Sequence, residues 1–194
     1  MRKLLIVAAL VFAHNAFAGD YEDGAAALGR RDYATALTKF LKAAEQGNRG
    51  AQYLLGVMYY DGMGVDKDYK EAIRWYKFAA QQGSAAAQSN LGYIYYKGQG
   101  VAQDYKAAVR WFRLAAQQGD ANAQNNLGVM YVEGHGVIQD NIKAHTWFNI
   151  AASNESKNSA TNRDAVASKM TPQHIEEAQR MARECMASNF KKCD

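Results

Sequence analysis

The sequence predicts an all-α fold, a right-handed α/α superhelical solenoid of helix-turn-helix repeats with a C-terminal helical cap, and three observations predict it. A 36-residue step relates Gly56 to Gly92 and Gly128, and Trp75 to Trp111 and Trp147. Within each step, apolar and small residues recur at helical spacing. Proline occurs once, at Pro172, and alanine is abundant, so helices have few obstacles. A repeat of this length cannot bury its apolar face alone; neighbours must stack.

The first element to set aside is residues 1–18. Arg2 and Lys3 precede a ten-residue apolar run from Leu4 to Ala13, and Ala16-Phe17-Ala18 supplies a small-x-small cleavage pattern. Ten residues are too few for a transmembrane helix, which needs roughly 20. The expectation is a signal peptide cleaved near Ala18 and an exported chain, periplasmic or secreted, with no transmembrane span. Without Arg2 and Lys3, 21 basic residues face 19 acidic ones, a net charge of +2. Charges so balanced and dispersed point away from nucleic acid.

Three regular repeats are expected, at 48–83, 84–119 and 120–155. The first helix of the first copy, about Ala51 to Tyr60, places Ala51, Leu55, Met58 and Tyr59 on one face. Gly56 costs about 1 kcal/mol against alanine in a helix. Its recurrence predicts a close approach by the neighbouring helix. The helix should end at Gly62-x-Gly64-Val65, where glycine can adopt the left-handed conformation. Asp68 then caps the second helix, and Glu71 completes the pattern of a capping box. Tyr69, Ala72, Ile73, Tyr76, Ala79 and Ala80 form its buried stripe, and Gly83 stops it.

The ends depart from the period. An N-terminal partial repeat covers 19–47: Asp32-Tyr33, Ala36 and Gly47 keep the step, but the Gly-x-Gly-Val loop gives way to a shorter turn at Gly29-Arg30-Arg31. Beyond a polar linker lie two capping helices within 156–194. One runs from about Ala160 to Lys169; the other starts at Thr171-Pro172, with threonine as cap and proline in the first turn. Ile175, Ala178, Met181, Ala182 and Cys185 stripe the last helix, which should cover the end of the final repeat.

Together the Ala-Gln-x-x-Leu-Gly-x-x-Tyr, Gly-x-Gly-Val, Asp-Tyr, Trp and Ala-Ala-x-x-Gly elements resemble the Sel-one-like repeat, a tetratricopeptide-like family. Three copies span about Asn48 to Glu155. The last departs from the pattern at Asn141 and Glu155, which implies a second helix that runs on or bends differently. The resemblance implies an α/α superhelix that makes protein–protein contacts.

Cys185 and Cys193 form an even, closely spaced pair, which in an exported chain reads as a disulfide. Eight helical residues would separate them by about 12 Å, and a disulfide needs Cα atoms within roughly 7 Å. The chain must therefore leave the helix near Ser188-Asn189.

No catalytic, cofactor-binding or metal site is expected. The Gly-x-Gly segments follow helices and lack a Gly-Lys-Ser/Thr signature. His135, His145 and His174 are isolated, and no metal-ligand or nucleophile spacing occurs. A second stripe on the first helices remains: Tyr53, Val57 and Tyr60; Ser89, Tyr93 and Tyr96; Asn125, Val129 and Val132. In tetratricopeptide-like superhelices such positions look into the concave groove, and tyrosine suits peptide contact. Packing of these tyrosines between adjacent repeats is the other reading. The expectation is a monomeric, non-enzymatic scaffold or adaptor that binds a peptide or protein partner. A cell-envelope hydrolase or β-lactam-binding enzyme is the alternative, and its cysteine-rich precedents carry a cysteine pair in each repeat.

Overall fold

The structure is a computed structural model that describes residues 19–154, 156, 158–191 and 193. The expected signal segment, 1–18, lies outside the described residues. Helices account for all regular secondary structure among them, in two compact units divided after Ser84. The first unit holds α1 (19–29), α2 (Tyr33–Glu45), α3 (Arg49–Asp61) and α4 (Tyr69–Gln81). The second holds α5 (Ala85–Lys97), α6 (Tyr105–Ala116), α7 (Ala121–Glu133), α8 (Asn141–Ser153), α9 (Ser159–Ala167) and α10 (Pro172–Ala187).

In each regular repeat the two helices pack as a hairpin: α3 on α4, α5 on α6, α7 on α8. The recurring glycine permits the approach. A Cβ at Gly56 would stand 2.5 Å from the Tyr76 ring, and Gly92 and Gly128 meet Phe112 and Phe148 at the same distance. Ala51, Leu55 and Met58 are fully buried in the first unit, as are Ala123 and Leu127 in the second.

The loops follow their chemistry. Gly62, Gly98 and Gly134 take left-handed φ values of 77°, 69° and 67° at the ends of α3, α5 and α7. The N–H groups of Asp68, Asp104 and Asp140 then donate back to the carbonyls of Tyr59, Tyr95 and Tyr131. This overturns the capping box expected at α4. The Asp68 carboxylate does accept from the Lys70 and Glu71 amides, but its own N–H is taken by Tyr59, so Glu71 pairs with Arg74 at 2.8 Å.

The repeated Ala-Gln glutamine is a buried stitch. Gln52 donates from Nε2 to the Ala44 carbonyl at 3.1 Å and accepts from Gln82 at 2.7 Å. In the second unit Gln124 donates to Ala116 at 3.1 Å and accepts from Asn154 at 2.9 Å. A buried amide with both ends bonded carries little penalty and fixes helix register.

The opening unit is a complete hairpin with a shortened loop. Asp32 N–H bonds to Ala27, five residues back; Asp68 reaches Tyr59, nine back. Gly24 receives the Phe40 ring, with a Cβ–ring distance of 2.7 Å. Four loop residues are missing, and Arg31 takes the left-handed turn at φ 60°.

At the other end α8 stops at Ser153 with the same 13 residues as α4, so neither Asn141 nor the absence of a closing glycine extends it. Both α9 and α10 pack on α8. Thr171 caps α10, accepting from the His174 amide at 3.2 Å, and Pro172 opens the helix. The chain leaves α10 at Ser188, turns through Asn189 and Phe190 with positive φ, and closes the Cys185–Cys193 disulfide at a Cα separation of 4.6 Å.

Candidate functional site

The second stripe of the first helices occupies a different environment in each unit. In the first unit the Tyr53 ring leans on Tyr76 at 6.0 Å between centroids, and Tyr60 meets Tyr69 edge-on at 5.3 Å. Val57 lies half-buried between them in sequence. These rings rest on the second helix of their own repeat, each with an edge partly open.

In the second unit Ser89 is buried, while Tyr93 on the next turn is 40% exposed. Tyr96 is half-buried and leans on Tyr105 at 5.8 Å. Tyr93, Tyr96, Phe112, Asn126, Val129 and Met130 line one cleft between α5 and α7. Val129 also borders a second cleft, with Val132, Glu133, Asn162, Val166 and Lys169, between α7 and α9. The predicted Tyr93, Tyr96, Val129 and Val132 thus share one run of surface. Asn125 is tied into the cap: its Oδ1 accepts from Ser159 Oγ at 2.9 Å and Asn162 Nδ2 at 3.0 Å. In this way α9 closes that end of the stripe.

Several groups beside these clefts belong to no sequence motif. His135 stacks on Tyr105 at 4.1 Å, nearly parallel at 4°, and its Nδ1 lies 2.9 Å from Glu133 Oε2. The Tyr96 hydroxyl donates to the same oxygen at 3.4 Å, and burial and then the Glu133 charge raise its pKa above the ordinary tyrosine value. Lys97 Nζ sits over the rings of Tyr93 and Tyr96 at 5.7 and 5.0 Å. The available signal was variation within the period, since Met63 and Gln99 hold the place of His135 in the other copies. This surface offers aromatic faces, one ammonium and a carboxylate, the materials of peptide recognition.

The Gly-x-Gly loops are packing devices. A Cβ at Gly136 would stand 2.5 Å from the Tyr105 carbonyl oxygen, so backbone meets backbone there. Among the described residues no group of three or more His, Cys, Asp or Glu side chains could hold a metal ion. None of their helices is long and apolar enough to cross a membrane.

Comparison with known proteins fits this architecture. The Sel1 repeat model matches residues 15–48, 50–84, 85–120 and 121–156, so the opening hairpin is matched along with the three regular copies. A search of curated protein sequences finds no match. Among solved structures, a Sel1 repeat protein from Oxalobacter formigenes is 29% identical, with a TM-score of 0.70 over 90% of this chain and 79% of that one. The protein c5321, described as a protective antigen of uropathogenic Escherichia coli strains with an SLR fold, is 30% identical with a TM-score of 0.55. That alignment covers 81% of this chain and 42% of c5321, so the chain spans less than half of that relative. By its four matched repeats and its α/α solenoid fold, the chain belongs to the Sel1 repeat family.

Proposed function

We propose that this protein is an exported interaction scaffold that holds an extended peptide or a partner's segment along the second stripe of its first helices. The carrying observation is the open aromatic surface of the second unit, where Tyr93 stands exposed beside Tyr96, Val129 and the adjoining cleft. Sel1 repeats commonly serve as protein-interaction scaffolds, and that class of partner fits the site's composition. On this reading Tyr93, Tyr96 and Val129 make the main contacts, with Ser89 and Asn125 bracketing them. Tyr53, Val57 and Tyr60 form a corresponding surface in the first unit. The Cys185–Cys193 disulfide suits an oxidising compartment. It supports export after cleavage near Ala18, to the periplasm or beyond.

The test is selection of binding peptides from a random library displayed on phage, followed by affinity measurement. Tyr93→Ala/Tyr96→Ala should weaken selected peptides at least tenfold while the melting temperature stays near that of the native protein. Peptides that bind the double variant as tightly as the native chain would sink the reading.

A further inference from the structure

We propose that the outer face of α4 is a second docking surface, one that seats an acidic amphipathic helix from a partner protein. Lys70, Ile73, Arg74, Lys77, Phe78 and Gln81 fall at i, i+3, i+4, i+7, i+8 and i+11, one face of the helix, and line one shallow hollow. The opposite stripe, Ala72, Tyr76, Ala79 and Ala80, is buried. Ile73 is the floor of the outer face and Phe78, 41% exposed, its apolar anchor.

Cations line the hollow along with that anchor. Neither Lys70 nor Lys77 has a side-chain ion pair among the described residues, and both are exposed. Arg74 stacks on Trp75 at 4.7 Å and lies 5.8 Å from the Phe78 ring, bonded to Glu71. Its planar fork keeps further donors for an incoming carboxylate. Three cations along one hollow that holds an exposed ring, with one carboxylate bonded to Arg74, call for an apolar residue flanked by acidic ones.

The chain shows what such a face can hold. Two periods on, the same register of α8 carries Ile142, His145, Thr146, Asn149, Ile150 and Ser153, without a Lys or Arg. There α10 packs on α8, and Thr146 Oγ1 reaches the Ala178 carbonyl at 3.2 Å. Thr146 is 1% exposed and Ile150 fully buried. Between them in sequence, α6 keeps the basic form with Lys106 and Arg110, and its Leu114 is 47% exposed. The face is neutral where the chain's own helix covers it and basic where it lies open. That contrast favours a helix as occupant over a lipid surface, for which one phenylalanine is a slight anchor.

A fluorescein-labelled peptide of the α10 sequence, Pro172–Ala187, with Arg180→Glu, Arg183→Glu and Cys185→Ala, keeps Ala178 and Ala182 of the docking stripe, puts a small residue at 185 and adds acidic flanks. Fluorescence anisotropy with the intact, disulfide-bonded protein at low salt should show saturable binding. Lys70→Glu/Lys77→Glu should weaken it at least tenfold and Phe78→Ala severalfold, while Tyr93→Ala leaves it unchanged. The same peptide with glutamine for every glutamate should bind at least tenfold more weakly. No binding, or equal binding by the Lys70→Glu/Lys77→Glu protein (the result if the peptide chose α6 or displaced α10), overturns the proposal. So does capture by phosphatidylglycerol vesicles that depends on Lys70 and Lys77 when the peptide fails to bind. The groove reading stands or falls separately, on Tyr93 and Tyr96.

Discussion

The regular repeats and the C-terminal cap keep their helices together by unlike means. Inside a repeat the contact is steric and period-locked: a glycine on one helix receives a ring from the next, as Gly128 receives Phe148. The cap's own helices contain no glycine and make no such pair with each other. There α9 adds the amides and hydroxyls of Asn125, Ser159 and Asn162 to its buried Val166, and α10 adds Thr146 to its buried alanines, with the disulfide tying the tail back to α10. Phe190 is tucked against the Gly119 turn, 3.3 Å from where a Cβ there would stand. A repeating hairpin can reuse one shape because its two helices meet alike in every copy. An end meets water and needs local, directional bonds.

The steric half of the comparison breaks most easily at Phe148. Phe148→Ala should cost about 3–5 kcal/mol in urea denaturation, the usual loss for a large buried ring. Gly128→Ala tests the mechanism itself. Helix propensity alone favours alanine by about 1 kcal/mol, yet overpacking against a buried ring costs about 1–3 kcal/mol. We expect net destabilisation, partly relieved in Gly128→Ala/Phe148→Leu. A more stable Gly128→Ala protein would show that the glycine is not needed for the approach.

The cap should yield differently. Cys185→Ser/Cys193→Ser opens a loop of eight residues' separation, worth about 2.5 kcal/mol by chain entropy. Hydrogen exchange should quicken in α10 and leave the α5–α6 hairpin protected, because the loop constrains only the last helix and its tail. Uniform acceleration through the second unit would mean that the cap and the repeats open as one.

How much of this the sequence disclosed follows the same division. The hairpins, their glycine stops and the Asp caps were legible because each signal occurs three times at one spacing. The helix α10 was legible from Thr171-Pro172, a local start signal that needs no tertiary context. Glu71 was misread because its alternative partners, Arg74 and the closed Asp68 amide, are fixed by the folding back of the loop onto Tyr59. Nothing periodic marks Asn125 as bound by α9, or His135 as stacked on Tyr105. Those contacts join residues that vary between copies, and spacing carries no information about them. The opening hairpin lost its signal through a four-residue loop deletion, which moved Gly24 off the 36-residue step while leaving its contact with Phe40 intact.

The smallest expected effect sharpens the cap's directional character. His145 on α8 is buried, and its Nδ1 has no hydrogen-bond partner among the described residues. Burial holds its pKa below the ordinary 6.5, Arg163 of α9 lowers it further, and Asp164 opposes weakly. The unfolded chain therefore takes up the proton first as pH falls. Stability is fully present above about pH 6.5 and declines below it, until the folded state also protonates. Valine and isoleucine hold this register in α6 and α4, so the penalty belongs to the last repeat alone. Thermal melts at pH 7.5 and 5.5 should differ more for the native protein than for His145→Gln, with faster exchange in α8 and α9 at the lower pH. An equal pH response in the two proteins would place the acid sensitivity elsewhere, and α9 would then be held by its Ser159 and Asn162 bonds to Asn125 of α7 whatever the charge on His145.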